Sequence, residues 1–224
     1  MQIISKKHKT FLVNRLAEIS GLISFSIAIL TFGILLSYSP LDPSFNNITD
    51  LEAQNILGST GATFADLLIQ IFGTSSYIII IFFLTWSYKL TIFKKLPFFL
   101  INFLSGIISL LTIDLIFLIY EINILHGFIS LEIFNNIIDP IIKENDIYFE
   151  VFFVFILSLL FLIFFVLSCA LDKNEWQKIF LFIWLSCKFL LNKSLEFLKF
   201  SFNKKKDVIF EKNKIDNLLT EEKI

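Results

Sequence analysis

Charge is the scarcest ingredient of this sequence. Asp, Glu, Lys and Arg make up 17% of its 224 residues, where soluble domains carry about 25%. That excludes a globular domain whose helices each keep one face in water. Histidine is nearly missing, with only His8 and His126, and so is cysteine, with only Cys169 and Cys187. HExxH, GxSxG and CxxC do not occur, which removes the motif-based protease, hydrolase and dithiol readings. None of the seven glycines begins a GxxxxGK run followed by Ser or Thr, so no phosphate-cradling loop of that kind is present.

What is there is apolar. Hydrophobic residues reach 56%, phenylalanine alone numbers 29, and mean hydropathy is +0.77. Four runs stand out, at 19–38, 70–90, 97–119 and 149–171, with Lys89, Asp114 and Glu150 the main interruptions. Each is about 20 residues, enough to cross a core about 30 Å thick at 1.5 Å per residue. They are apolar on every face, which excludes the in–out alternation of membrane strands. The first run is too long for a signal-peptide core, and no small-x-small site follows it. The expectation is an all-α integral membrane four-helix bundle.

The basic residues give an orientation. Lys6, Lys7, Lys9 and Arg15 precede the first run, Lys89, Lys94 and Lys95 sit between the second and third, and eleven lysines follow the fourth. Segments 39–69 and 120–148 hold one, Lys143, so 18 of 19 basic residues fall on one side. The positive-inside rule predicts both termini in the cytoplasm. On that topology His8 and His126 lie on opposite sides, so no metal site uses both. Cys169 and Cys187 lie on the reducing side, as ordinary small apolar residues.

The first run stops at "SYSPLDPSFNN". Pro40 and Pro43 cannot continue a helix, while Asp42 and Ser44 bond nearby N–H groups as turn residues do. In "NILGSTGATFADLLIQIFG", Gly58 and Ala62 are four apart, as are Gly61 and Ala65. That spacing predicts a flat stripe for close helix packing, on a helix that starts at the outer surface and enters the bilayer.

These residues together resemble the N-terminal four-span region of FtsK/SpoIIIE-type DNA translocases. Glu18 and Gly21 match its opening of helix one. Leu35, Ser37, Tyr38, Asp42, Pro43 and Ser44 match its "LxSYxxxDPS" exit, with Phe45 and Asn46 following. Asn55, Gly58, Gly61, Ala62, Ala65 and Asp66 match "NxxGxxGAxxAD", and Gly73 and Trp86 match a Gly and a Trp of helix two. The likeness covers about residues 15 to 90. Beyond helix three it is weak, and the Gly-rich entry to the last helix is reduced to Gly127.

The resemblance implies a membrane anchor for a hexameric motor that moves chromosomal DNA at the division septum. It implies ATP and Mg for a motor that these residues do not contain, and DNA contact only through that motor. Implied partners are membrane lipids, further copies of the chain and division-site membrane proteins. The chain itself is expected to be no enzyme and to hold no cofactor or metal. The coding region is expected to continue into a linker and a P-loop domain. The rival readings are a small carrier or channel-like protein, or a stand-alone structural membrane protein.

Asp114 is the one acid in the interior of a run, Glu150 lying at the start of its own, and it sits about four residues from the outer end of helix three. An intramembrane acid is a functional candidate. Its place near the interface predicts access to interfacial water and a structural or interhelical hydrogen-bonding role. After the fourth run, residues 172–203 mix lysines with an apolar side of Trp176, Ile179, Phe180, Ile183 and Trp184. A basic amphipathic helix on the inner leaflet fits them, followed by a polar linker start at 204–224. The remaining expected segments are a cytoplasmic N-terminus at 1–18, an outer loop with a short packing helix at 39–69, a cytoplasmic loop at 91–96 and an outer loop at 120–148.

Overall fold

Apolar residues in long unbroken runs form helices because lipid leaves no backbone group a partner outside its own segment. The computed structural model describes residues 6–144, 147–191 and 193. Among them the structure is helical, with one isolated bridge between Gly73 and His126 as its only β pairing. Two units separate, Met1–Leu171 and Asp172–Ile224.

The first unit holds four spans. Helix α1 is Lys6–Leu36, α2 is Gly58–Phe72, and α3 is Ile78–Tyr88. A 3-10 turn, Thr74–Tyr77, and a π turn, Lys89–Phe93, extend α3 into a span of Thr74–Phe93. Helix α4 is Phe99–Ile119, followed by short α5 (Phe128–Ile133), a π turn, and α6 (Asp139–Lys143). Helix α7, Ile147–Cys169, is the fourth span. Lys7, Lys9, Lys94 and Lys95 mark one end of the spans and Asp42, Asp50, Glu52 and Glu121 the other, called here the basic and acidic ends.

The spans pack as two antiparallel pairs. Helix α1 lies along α3, and Gly21 allows it close to Leu90 and Thr91. Helix α4 lies along α7, burying Leu115, Ile116 and Ile119 against Val154 and Leu157. Trp86 joins the pairs by donating its indole N–H to Ser168 O at 2.6 Å. That carbonyl is one of the last of α7, which has no partner within its own helix. The ring of Phe82 also meets that of Phe165, with centroids 5.8 Å apart. Large apolar side chains stay exposed along the spans, including Phe32, Leu104, Phe155 and Ile163. Lipid accepts that surface, whereas water would not.

Several boundaries differ from the sequence expectation. Helix α1 begins at Lys6 rather than Ile19 and ends at Leu36, before Tyr38. The second span does not continue from α2: the chain breaks at Gly73, with φ 64° and ψ −153°, a region open essentially to glycine. It continues past Leu90 to Phe93, so Lys89 lies inside the span, buried, with its Nζ 4.9 Å from the Phe93 ring centroid. The third span starts at Phe99 rather than Pro97, and the fourth runs two residues earlier than expected, from Ile147 to Cys169. Segment 120–148 is not a plain loop but carries α5 and α6.

The second unit is helical over 173–191, here α8. The N–H of Asp172 donates to Glu175 Oε2 at 2.6 Å, half of a capping box. Lys188 Nζ lies 5.3 Å from the Trp184 ring centroid. The expected linker at 204–224, and the end of the expected amphipathic helix, lie outside the described residues.

Candidate functional site

A helix that ends at a membrane surface leaves its last carbonyls without intrahelical partners. The end of α1 solves this with residues from three segments. Ser37 Oγ donates to Gly33 O at 2.8 Å, and Asn55 Nδ2 donates to Ile34 O at 2.8 Å and Ser37 O at 3.4 Å. Tyr77 donates its hydroxyl to Leu35 O at 2.7 Å. Asn55 is itself fixed by Asp42, whose carboxylate accepts the N–H of Gln54 at 2.9 Å and of Asn55 at 3.0 Å. Asp42 and Asn55 are both buried. Ser44 Oγ accepts the N–H of Asn46 and Asn47, and Asn47 Nδ2 returns to Asp42 O at 3.1 Å. Pro43 lies between Asp42 and Ser44 in this turn, and Phe45 is exposed beyond it. The two bonds to the Asp42 carboxylate are the charge-assisted ones, a kind that contributes about 1.5–3 kcal/mol each.

Helix α2 seals the cap. Ala65 and Ile69 bury against Ile34 and Leu35, with Tyr38, Leu68 and Ile80 around them. Ala62 is buried as well. Tyr38 reaches Asp66 at 3.4 Å, and Gln70 Nε2 holds the other Asp66 oxygen at 2.6 Å. Partial burial, then the negative charge of Asp66, raise the Tyr38 phenol above its ordinary value.

The expected small-residue stripe is corrected here. Gly58 has φ 64° and nothing near its Cβ position, so it serves backbone conformation and not packing. A Cβ at Gly61 would lie 2.3 Å from Asn55 Oδ1, so this glycine makes room for the capping side chain of its own loop. Ala65 does touch α1.

A second cluster closes the acidic end of α4. Asp114 is fully buried, so it does not reach interfacial water. Its Oδ2 accepts the N–H of Gly127 at 2.8 Å, and its Oδ1 lies 3.0 Å from His126 Nδ1. His126 Nε2 lies 3.1 Å from Ile122 O. The partners come from the following loop rather than from another span. The same loop packs on the break after α2: Thr74 N donates to Leu125 O at 2.7 Å, and a Cβ on Gly127 would lie 2.3 Å from Ile71 O.

At the basic end, Glu18 bonds Arg15 at 2.5 Å and Lys94 at 2.7 Å. Lys94, at φ 57°, also caps Thr91 O. Glu18 and Gly21, one turn apart, therefore seat α1 on the end of the second span.

The residues of the two motifs, distant in sequence, thus share one cap. A family model described as the 4TM region of DNA translocase FtsK/SpoIIIE matches residues 13–131. The chain belongs to this family. Among relatives of the FtsK-type module, the DNA translocase FtsK of Azospirillum brasilense is 33% identical over 89 residues, 39% of this chain and 14% of that protein. That of Rickettsia prowazekii is 35% identical over 72 residues, 31% of this chain and 10% of that protein. The likeness thus spans a minor part of the relatives' length, and the matched part is the membrane region. No solved structure matches. The chain is a multi-pass membrane module of the FtsK type.

Sequence reasoning missed several members of these clusters. Tyr77 was readable only as an aromatic near a membrane surface. The partnership of His126 with Asp114, and of Lys94 with Glu18, left no local signal. Among the described residues no group of three or more His, Cys, Asp and Glu side chains is placed to hold a metal ion.

Proposed function

We propose that this chain is the membrane anchor and assembly module of a septal DNA translocase, acting in chromosome segregation and cell division. The observation that carries the reading is the cap itself. The polar residues of both family motifs are used to fix loops and helix ends, as a scaffold requires. A carrier would instead gather polar groups at broken helices near the midplane. Here the buried charges Asp114 and Lys89 lie toward span ends, and the break at Gly73 falls just before the second span rather than inside it.

In this reading the basic end faces the cytoplasm of the inner membrane. The chain contributes lipid contact, self-assembly toward a hexamer and docking to division-site membrane proteins, without catalysis of its own. ATP and Mg belong to the family's motor, and DNA is met only there. The test is a fluorescent fusion of the chain in dividing cells. Concentration in a midcell band is the expected result; uniform membrane fluorescence through constriction would overturn the septal role.

A further inference from the structure

Two cavities of the first unit share Trp86 as a wall. One, of about 470 Å³, opens at the basic end among Ser20, Ser24, Leu90, Lys94, Lys95 and Phe99. The other, of about 220 Å³, runs between the second span and α4 past Ile79, Phe103, Ile107 and Leu110, and is closed by Leu68 and Phe72 of α2.

Their chemistry is complementary. At the first, Arg15, Lys94 and Lys95 stand against the single carboxylate of Glu18. Lys95 is exposed and makes no ion pair among the described residues. A serine in a membrane helix ordinarily turns its hydroxyl back to its own helix, as Ser26 does to Leu22 O at 3.1 Å. Ser20 and Ser24 have no such bond among the described residues, so both hydroxyls are available to a ligand. Helix α4 also begins here, with no side-chain cap and no acid in its first turn, which adds to the positive potential. The second cavity is apolar throughout. Along α4 it extends from about 6 to about 16 Å above the first residue, the depth of one leaflet of a core about 30 Å thick.

We propose that the two cavities together hold one anionic phospholipid. Its phosphate sits on Lys95, Lys94 and the serine hydroxyls, and one acyl chain passes Trp86 into the groove. A free phosphate would leave the groove unused, and a zwitterionic lipid would leave the excess positive charge unused. Assigning the lipid to the inner leaflet rests on the orientation proposed above.

Native mass spectrometry of the full chain released from detergent tests this, with phosphatidylglycerol and phosphatidylethanolamine added in equal amounts. The wild type should retain phosphatidylglycerol preferentially. Lys95→Gln should weaken phosphatidylglycerol about fivefold and leave phosphatidylethanolamine unchanged. Ile107→Trp, which fills the groove, should weaken both, and glycerol phosphate should not compete. Thermal unfolding followed by circular dichroism checks that each variant folds, and Ile79→Phe replaces Ile107→Trp if it does not. Equal retention of the two lipids, no effect of Lys95→Gln, or full competition by glycerol phosphate would overturn the proposal. The measurement is blind to orientation, so its failure would leave the topology and the septal reading standing.

Discussion

Asp42 shows how one side chain can close a loop. Its two oxygens take the N–H groups of Gln54 and Asn55, and Asn55 in turn takes two carbonyls at the end of α1. Asp42→Ala leaves the buried N–H of Asn55 and the part-buried N–H of Gln54 without acceptors, a loss of about 1–3 kcal/mol. Asn55→Ala strands carbonyls instead, at about 1–3 kcal/mol. Because both act through one network, the double variant should lose less than the sum by at least about 0.5 kcal/mol. Unfolding in detergent, followed by circular dichroism, measures all three, and strict additivity would mean the two residues work apart. The sequence marked Asp42 as a turn residue bonding its neighbours, whereas its partners lie twelve and thirteen positions on. Motif spacing names such residues without naming what they touch, since closing a long loop carries only a slowly growing entropic cost. The same holds for Asp114 and His126, which meet across a turn that no periodicity reveals.

The four spans were legible because lipid imposes length and apolarity on a helix and little else. The break between α2 and the second span was not, because the apolar run continues straight through Gly73. Its backbone conformation and its contact with the Leu125–Gly127 segment are tertiary facts. Three glycines at the acidic end therefore differ in role, and alanine substitutions should rank them. Gly58→Ala adds a Cβ in open space at φ 64° and should cost about 1–2 kcal/mol. Gly61→Ala gains helix propensity but pushes on the Asn55 cap, for a net loss of about 1–3 kcal/mol. Gly73→Ala combines a forbidden backbone region with a Cβ 2.5 Å from Leu125 O, and should cost about 3–5 kcal/mol. Detergent unfolding of the three variants gives the order directly. A silent Gly73→Ala would restore the continuous helix expected from the sequence.

The first unit is two antiparallel helix pairs tied at Trp86 and capped where the family motifs converge. Composition and run length made its all-α membrane class readable from the residues alone. Which helix pairs with which was not readable, because runs that are apolar on every face carry no direction in their pattern. The side chains that decide it, Gly21 against Thr91 and Trp86 against Ser168, are single contacts. The topology proposed above is a four-span module with its lysine-bearing side toward the cytoplasm. Single cysteines at Asn46 and Asn174, introduced as Asn46→Cys and Asn174→Cys with Cys169→Ala and Cys187→Ala, test it most directly. Cells with a permeabilised outer envelope are treated with a thiol reagent that does not cross the inner membrane. The account predicts that Asn46→Cys labels in intact cells and Asn174→Cys labels only after lysis; labelling of Asn174→Cys without lysis would contradict it.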